Sequence, residues 1–180
     1  MISDLFTYNE FWTVIHGLVL GTFFLLAFAG GLAGLWSLKE RYLTAEGVSE
    51  RTPRLLAGTT VMAIVAWLTV WTGTFIVYPW YRATPPEGTT DLAAYPRSLL
   101  LGNDVTAFWH TFGMEWKEHV AWLAPMLATA VAFIVIYYGP RLFHHPEWRR
   151  LLLVMFTLAF AAAGIAGLFG AFITKAAPVL

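Results

Sequence analysis

The stretch Trp12-Thr13-Val14-Ile15-His16-Gly17-Leu18-Val19-Leu20-Gly21 opens an apolar run that continues to Leu38 without a single Lys, Arg, Asp or Glu. Three more such runs follow, at 55–80, 119–138 and 151–173. Each is roughly 20–27 residues long, enough at 1.5 Å per residue to cross about 30 Å of hydrocarbon, with some tilt in the longer ones. Aromatic residues collect at their ends: Phe11 and Trp12, Trp36, Tyr78 with Trp80 and Tyr81, Trp116 and Trp122, Tyr137 and Tyr138, Trp148. Amphipathic rings favour the headgroup level, so the ends are well placed. The runs predict an all-α integral membrane protein. It is a four-transmembrane-helix bundle and a single membrane domain over residues 1–180, with spans at 12–38, 55–80, 119–138 and 151–173.

Composition agrees. Of 180 residues, 58% are hydrophobic and only 12% charged, where a soluble domain carries about 25% charged residues. Lipid is therefore the expected surroundings. Formal net charge is zero, so nucleic acid is not an expected partner. The absence of cysteine excludes disulfides, thiolate iron–sulfur ligation and covalent haem attachment, but not a non-covalent haem. The first run follows an acidic stretch, Asp4 to Glu10, and is too long for the core of a cleaved signal, so it is expected to remain as a span.

Lys39, Arg41, Arg51 and Arg54 fill the first connection, and Arg141, Arg149 and Arg150 the third. The positive-inside rule puts both connections in the cytoplasm and both termini outside, in the inner or plasma membrane. The second connection, 82–118, is then a long outer loop. It begins with the turn-rich Ala83-Thr84-Pro85-Pro86-Glu87-Gly88 and is expected to carry one or two short interfacial helices over 98–116. Glycines spaced four apart, Gly17 with Gly21 and Gly30 with Gly34, and the series Gly164, Gly167 and Gly170, suit close helix approach in lipid.

Two histidines carry the chemistry. His16 lies just inside the first run and His119 at the start of the third, and those runs point the same way. An ionisable side chain inside a span is costly, so each is a functional candidate. A diagonal pair of helices in a bundle is separated by roughly 11–14 Å, which two imidazoles can bridge through one haem iron. Gly17 and Gly21 beside His16 would admit the porphyrin, and Arg82 is the preferred cation for its propionates. His110 is an alternative ligand, and Glu115, one turn before His119, is placed to orient that imidazole by hydrogen bonding to it or to serve as an alternative ligand itself. His144 and His145 sit at the opposite end with no intramembrane partner, so one haem is expected.

This pattern of His16 and His119 on two spans resembles the small membrane-embedded b-type cytochromes, of the cytochrome b561 and formate dehydrogenase gamma type. The resemblance implies one b-type haem near the outer face, a quinone as a further cofactor, and electron relay between quinol and a partner carrier or redox subunit. Those families carry two haems, and ligands for a second are missing here. Two other readings stand beside it. In one, the chain is a cofactor-free structural or assembly subunit, with His16 hydrogen-bonded to Thr13 or across the bundle. In the other, His16, His110, Glu115 and His119 form an outer-face site for zinc, copper or non-haem iron. A transporter fits less well, because no charge lies deep in a span and no inverted repeat is visible.

Overall fold

The computed structural model describes residues 5–39 and 44–180; Asp4 and Arg41, used above for charge bookkeeping, lie outside them. Among the described residues the regular structure is helical throughout. Four helices are long and apolar enough to cross a membrane: α1 (Tyr8–Trp36), α2 (Ala45–Tyr81), α4 (Asp104–His144) and α5 (Pro146–Ala176). The short α3 (Pro96–Leu101) precedes α4.

Local chemistry sets the helix boundaries. Thr7 and Glu10 form a reciprocal capping box at the start of α1, with Glu10 N donating to Thr7 Oγ1 and Thr7 N to Glu10 Oε2. Proline opens both α3 and α5, where a missing N–H costs nothing. Asn103 caps α4 by accepting from the Val105 amide at 2.9 Å. With that cap in place and no Pro between Asp104 and Val120, the helix runs straight past the expected start at His119. The last 15 of the 37 residues of the expected outer loop, 104–118, are thus the beginning of α4. Of the short helices expected there, α3 is separate and the other is continuous with α4.

The chain forms two compact units, and each long helix contributes a segment to both. The apolar unit comprises 22–67 and 123–163; the polar unit comprises 1–21, 68–122 and 164–180. In the apolar unit α1 and α2 approach backbone to backbone. A Cβ on Gly58 would fall 2.7 Å from the Gly31 nitrogen, and one on Gly34 would fall 3.2 Å from the Leu55 Cα. The close contact thus uses Gly31 and Gly34, whereas Gly30 faces open space. Phe28 stacks on Phe160 at 4.0 Å and on Phe156 at 5.4 Å, and the Phe156 ring lies against Gly31. The buried Thr59 gives its hydroxyl proton to the Leu55 carbonyl of its own helix, so that hydroxyl is satisfied without an outside partner.

In the polar unit the Asn9 side chain donates to the Leu180 carbonyl at 3.3 Å, which brings the two ends of the described chain together.

Candidate functional site: a polar centre built on widened helical turns

Four stretches of the polar unit, Ile15–Val19, Gly73–Val77, Trp109–Met114 and Trp116–Val120, are π-turns, in which each amide bonds five residues back. All the π-turns among the described residues lie in this unit. Such turns insert a residue into the helix, re-aim the side chains beside it, and occur frequently at functional sites. His16, His110 and His119 each sit within one. The turn at Gly73–Val77 has a visible cause: Pro79 follows it, and a widened turn relieves the clash of a proline ring with the carbonyl four residues back.

Two polar groupings meet at the end of α2. In the first, Tyr78 donates its hydroxyl to Glu118 Oε2 at 2.9 Å and accepts from Arg82 Nε at 2.7 Å. Arg82 also donates to the same carboxylate oxygen at 3.2 Å. The Tyr78 hydrogen bond, and then the Glu118 charge, hold the Arg82 guanidinium above its already high ordinary pKa. The Glu118 side chain is only 17% exposed, and its second oxygen, Oε1, is buried without a hydrogen-bond partner. In the second grouping, the Tyr81 hydroxyl lies 2.8 Å from His110 Nδ1, with both residues buried. Leu100, Met114, Ile173 and Ala177 close around Tyr81 and exclude water. Arg97 carries a buried Nε without a partner, and its charge reaches both Tyr81 and His110.

His16 stands apart from these. Its Nδ1 is 3.1 Å from Thr72 Oγ1, and that hydroxyl lies 2.9 Å from the Leu68 carbonyl of its own helix. A hydroxyl has one proton to give. The tautomer that donates from Nδ1 to Thr72 would leave the lone pair on Nε2, and the Thr69 backbone also hydrogen-bonds this ring. The ring edge rests on Gly73, where a Cβ would come within 2.8 Å of Cε1. Lys117 reaches toward α5, where a Cβ on Gly170 would fall 2.8 Å from its Nζ, and its charge acts on His16.

The remaining predicted residues are placed as follows. His119 is 70% exposed, with Nδ1 3.0 Å from the Glu115 carbonyl and 3.4 Å from the Glu115 carboxylate. Glu115 therefore does stand beside this imidazole, but on the outside of the helix. Among the described residues no hydrogen bond or ring contact joins His16 to His119. A Cβ at Gly17 or Gly21 would meet nothing within 4 Å. Arg82 is committed to Glu118 and Tyr78, and Lys117 is the cation nearer in effect to His16. His145 pairs locally with Glu147 at 2.9 Å. No group of three His, Asp or Glu side chains among the described residues is close enough to hold a metal ion.

Sequence reasoning passed over Thr72, Gly73 and Glu118 as site residues. A signal was present for Glu118: a charged residue flanking a long apolar run needs a partner. Comparison with protein-family models, curated proteins and solved structures returns no match to this chain. The likeness to b-type cytochromes is accordingly one of architecture alone.

Proposed function

We propose that this chain is a multi-pass protein of the plasma membrane, with both termini outside. In that setting it serves as an electron-transfer subunit holding one b-type haem through His16. Four long helices with apolar exposed surfaces support the membrane placement. The observation that supports the haem assignment is an imidazole inside an apolar helix with Nδ1 3.1 Å from Thr72 Oγ1; the tautomer that donates from Nδ1 would present a lone pair at Nε2. That is the arrangement in which an imidazole binds iron, because the donor on the far nitrogen fixes the tautomer and raises ligand basicity.

A bound haem supplies one-electron transfer. The chain's own residues orient the ligand and manage charge. Thr72 and Gly73 set the plane of the His16 ring, Lys117 provides a cation beside it, and the open flank at Gly17 and Gly21 leaves room for a flat ligand. His110 and His119 would be the candidates for a second imidazole ligand, each requiring its side chain to leave its present partner. Tyr81, His110 and Glu118 are the groups that would give and accept protons if a quinol bound at this end of the chain.

A second reading is a cofactor-free assembly subunit. It is favoured by one specific observation: each of His16, His110 and His119 already has a protein partner. Oxidised and dithionite-reduced visible spectra of the detergent-purified chain, with a pyridine haemochrome assay, separate the two. A sharp reduced band with about one haem b per chain, lost in His16→Ala, is the expected result. A colourless protein from haem-sufficient cells would leave the assembly reading in place.

A further inference from the structure

Lys117 lies in the π-turn Trp116–Val120, at the edge of the charge-free run that follows His119. A lysine in such a place ordinarily snorkels, laying its stem on apolar surface and its ammonium in water. This one turns to a neighbouring helix instead. Its Nζ stands against Gly170 of α5, where a Cβ would fall 2.8 Å away, and its charge reaches His16 on α1. Among the described residues no hydrogen bond or ion pair engages the ammonium, and no carboxylate charge acts on it. Arg82, in the same unit, has both Glu118 and Tyr78. Lys117 has neither kind of partner.

An ammonium withdrawn from water without a counter-charge is among the costliest groups a protein can hold. A second uncommitted group lies close by in sequence. Thr13, one turn before His16 on α1, has its hydroxyl oxygen buried without a partner, and a hydroxyl can donate. Glycine keeps the space around these groups clear: Gly73 beside the His16 ring and Gly170 beside the Lys117 ammonium. We infer that Lys117 is the anchor of a binding site for a monocarboxylate with an apolar body. One ammonium matches one negative charge, so a doubly charged phosphate would stay half unpaired. A small inorganic anion would lose its hydration and gain no apolar contact in return. An apolar body needs no rescue from water in lipid, and the flank of α1 at Gly17 and Gly21 is open to it. Two sources carry this chemistry: a fatty acid from the bilayer, and a haem through one propionate. The site needs no iron, so it stands or falls apart from the haem assignment.

The test uses the full chain in a nonionic detergent, with carboxyl-labelled laurate followed by NMR and dodecanol as the uncharged control. Saturable binding of laurate is expected, about tenfold tighter than that of dodecanol, since a hydrogen bond to a charged group is worth about 1.5–3 kcal/mol. Lys117→Met should abolish that preference while helicity by circular dichroism stays unchanged. Lys117→Arg, which keeps the charge, should retain it, and Thr13→Val should weaken laurate binding about threefold. If the chain instead purifies with haem in the site, Lys117→Met should lower haem content, which assigns the carboxylate to a propionate. A colourless chain that binds laurate through Lys117 keeps this site and removes the haem. Equal affinity for laurate and dodecanol overturns the proposal. So does a Lys117→Met chain whose laurate binding and haem content both match those of the parent.

Discussion

The apolar and polar units are built from segments of the same four helices, yet they use opposite means of cohesion. In the apolar unit glycine removes side chains so that backbones touch, Gly31 against Gly58, and stacked Phe28, Phe156 and Phe160 fill what remains. Its buried Thr59 is satisfied within its own helix. In the polar unit glycine makes room for polar side chains instead: Gly73 for His16 and Gly170 for Lys117. Hydrogen bonds among Tyr78, Arg82 and Glu118 tie α2 to α4. Lipid tails are as apolar as leucine, so close packing is the main cohesive device for apolar helices there. A buried polar group left unsatisfied is costly, and in the polar unit Tyr78, Arg82 and Glu118 partner one another.

The largest expected effect breaks packing in the apolar unit. Gly58→Ala drives a Cβ into the Gly31 backbone, which cannot yield without separating α1 from α2. A loss of about 3 kcal/mol, at the upper end of overpacking costs, should appear as a clear fall in the thermal midpoint in mild detergent. Next comes Glu118→Gln. It leaves the Arg82 guanidinium without a counter-charge in a partly buried setting, and a loss of about 2 kcal/mol is expected, since hydrogen bonds to charged groups are worth about 1.5–3 kcal/mol. The same assay reads it. If Glu118→Gln proves neutral, the polar network is not what holds that unit.

Tyr81→Phe strips the partner from the buried His110 nitrogen, a cost of about 1–2 kcal/mol for an unsatisfied buried group. Rescue of that loss by the further change His110→Phe, which removes both polar atoms, would show that hydrogen bonding and not volume is at stake. The smallest effect has the opposite sign. Gly17→Ala meets open space and should stabilise the protein by up to about 1 kcal/mol through helix propensity. Should Gly17→Ala cost as much as Gly58→Ala, the contrast between the units fails. Should it leave stability intact while lowering haem content, the open flank beside His16 is a ligand surface.

The long apolar helices were legible in the sequence because charge-free runs of that length have few other uses. Their starts were not. The sequence puts short interfacial helices over 98–116 and the start of the third span at His119 because aromatics and charges interrupt the hydropathy before it, but intrahelical hydrogen bonds do not depend on hydropathy, and Asn103 supplies the cap for one continuous helix. His16 was legible as a singular residue, since an imidazole in an apolar run needs a partner. Its partner was not: Thr13 is near in sequence, whereas Thr72 is the hydroxyl that the second helix brings to it.

The sequence by itself determined the helical class, the number of long apolar segments and the presence of ionisable groups within them, because these follow from runs of side-chain type along one chain. Which helix face each group occupies was decided by the tertiary structure. π-turns shift the facing of every residue around them, so His110 turns inward to Tyr81 and Glu118 to Arg82, while His119 turns out. The identical-looking glycines were likewise sorted only by what packs against them: Gly58 into backbone contact, Gly73 under an imidazole, Gly17 into open space.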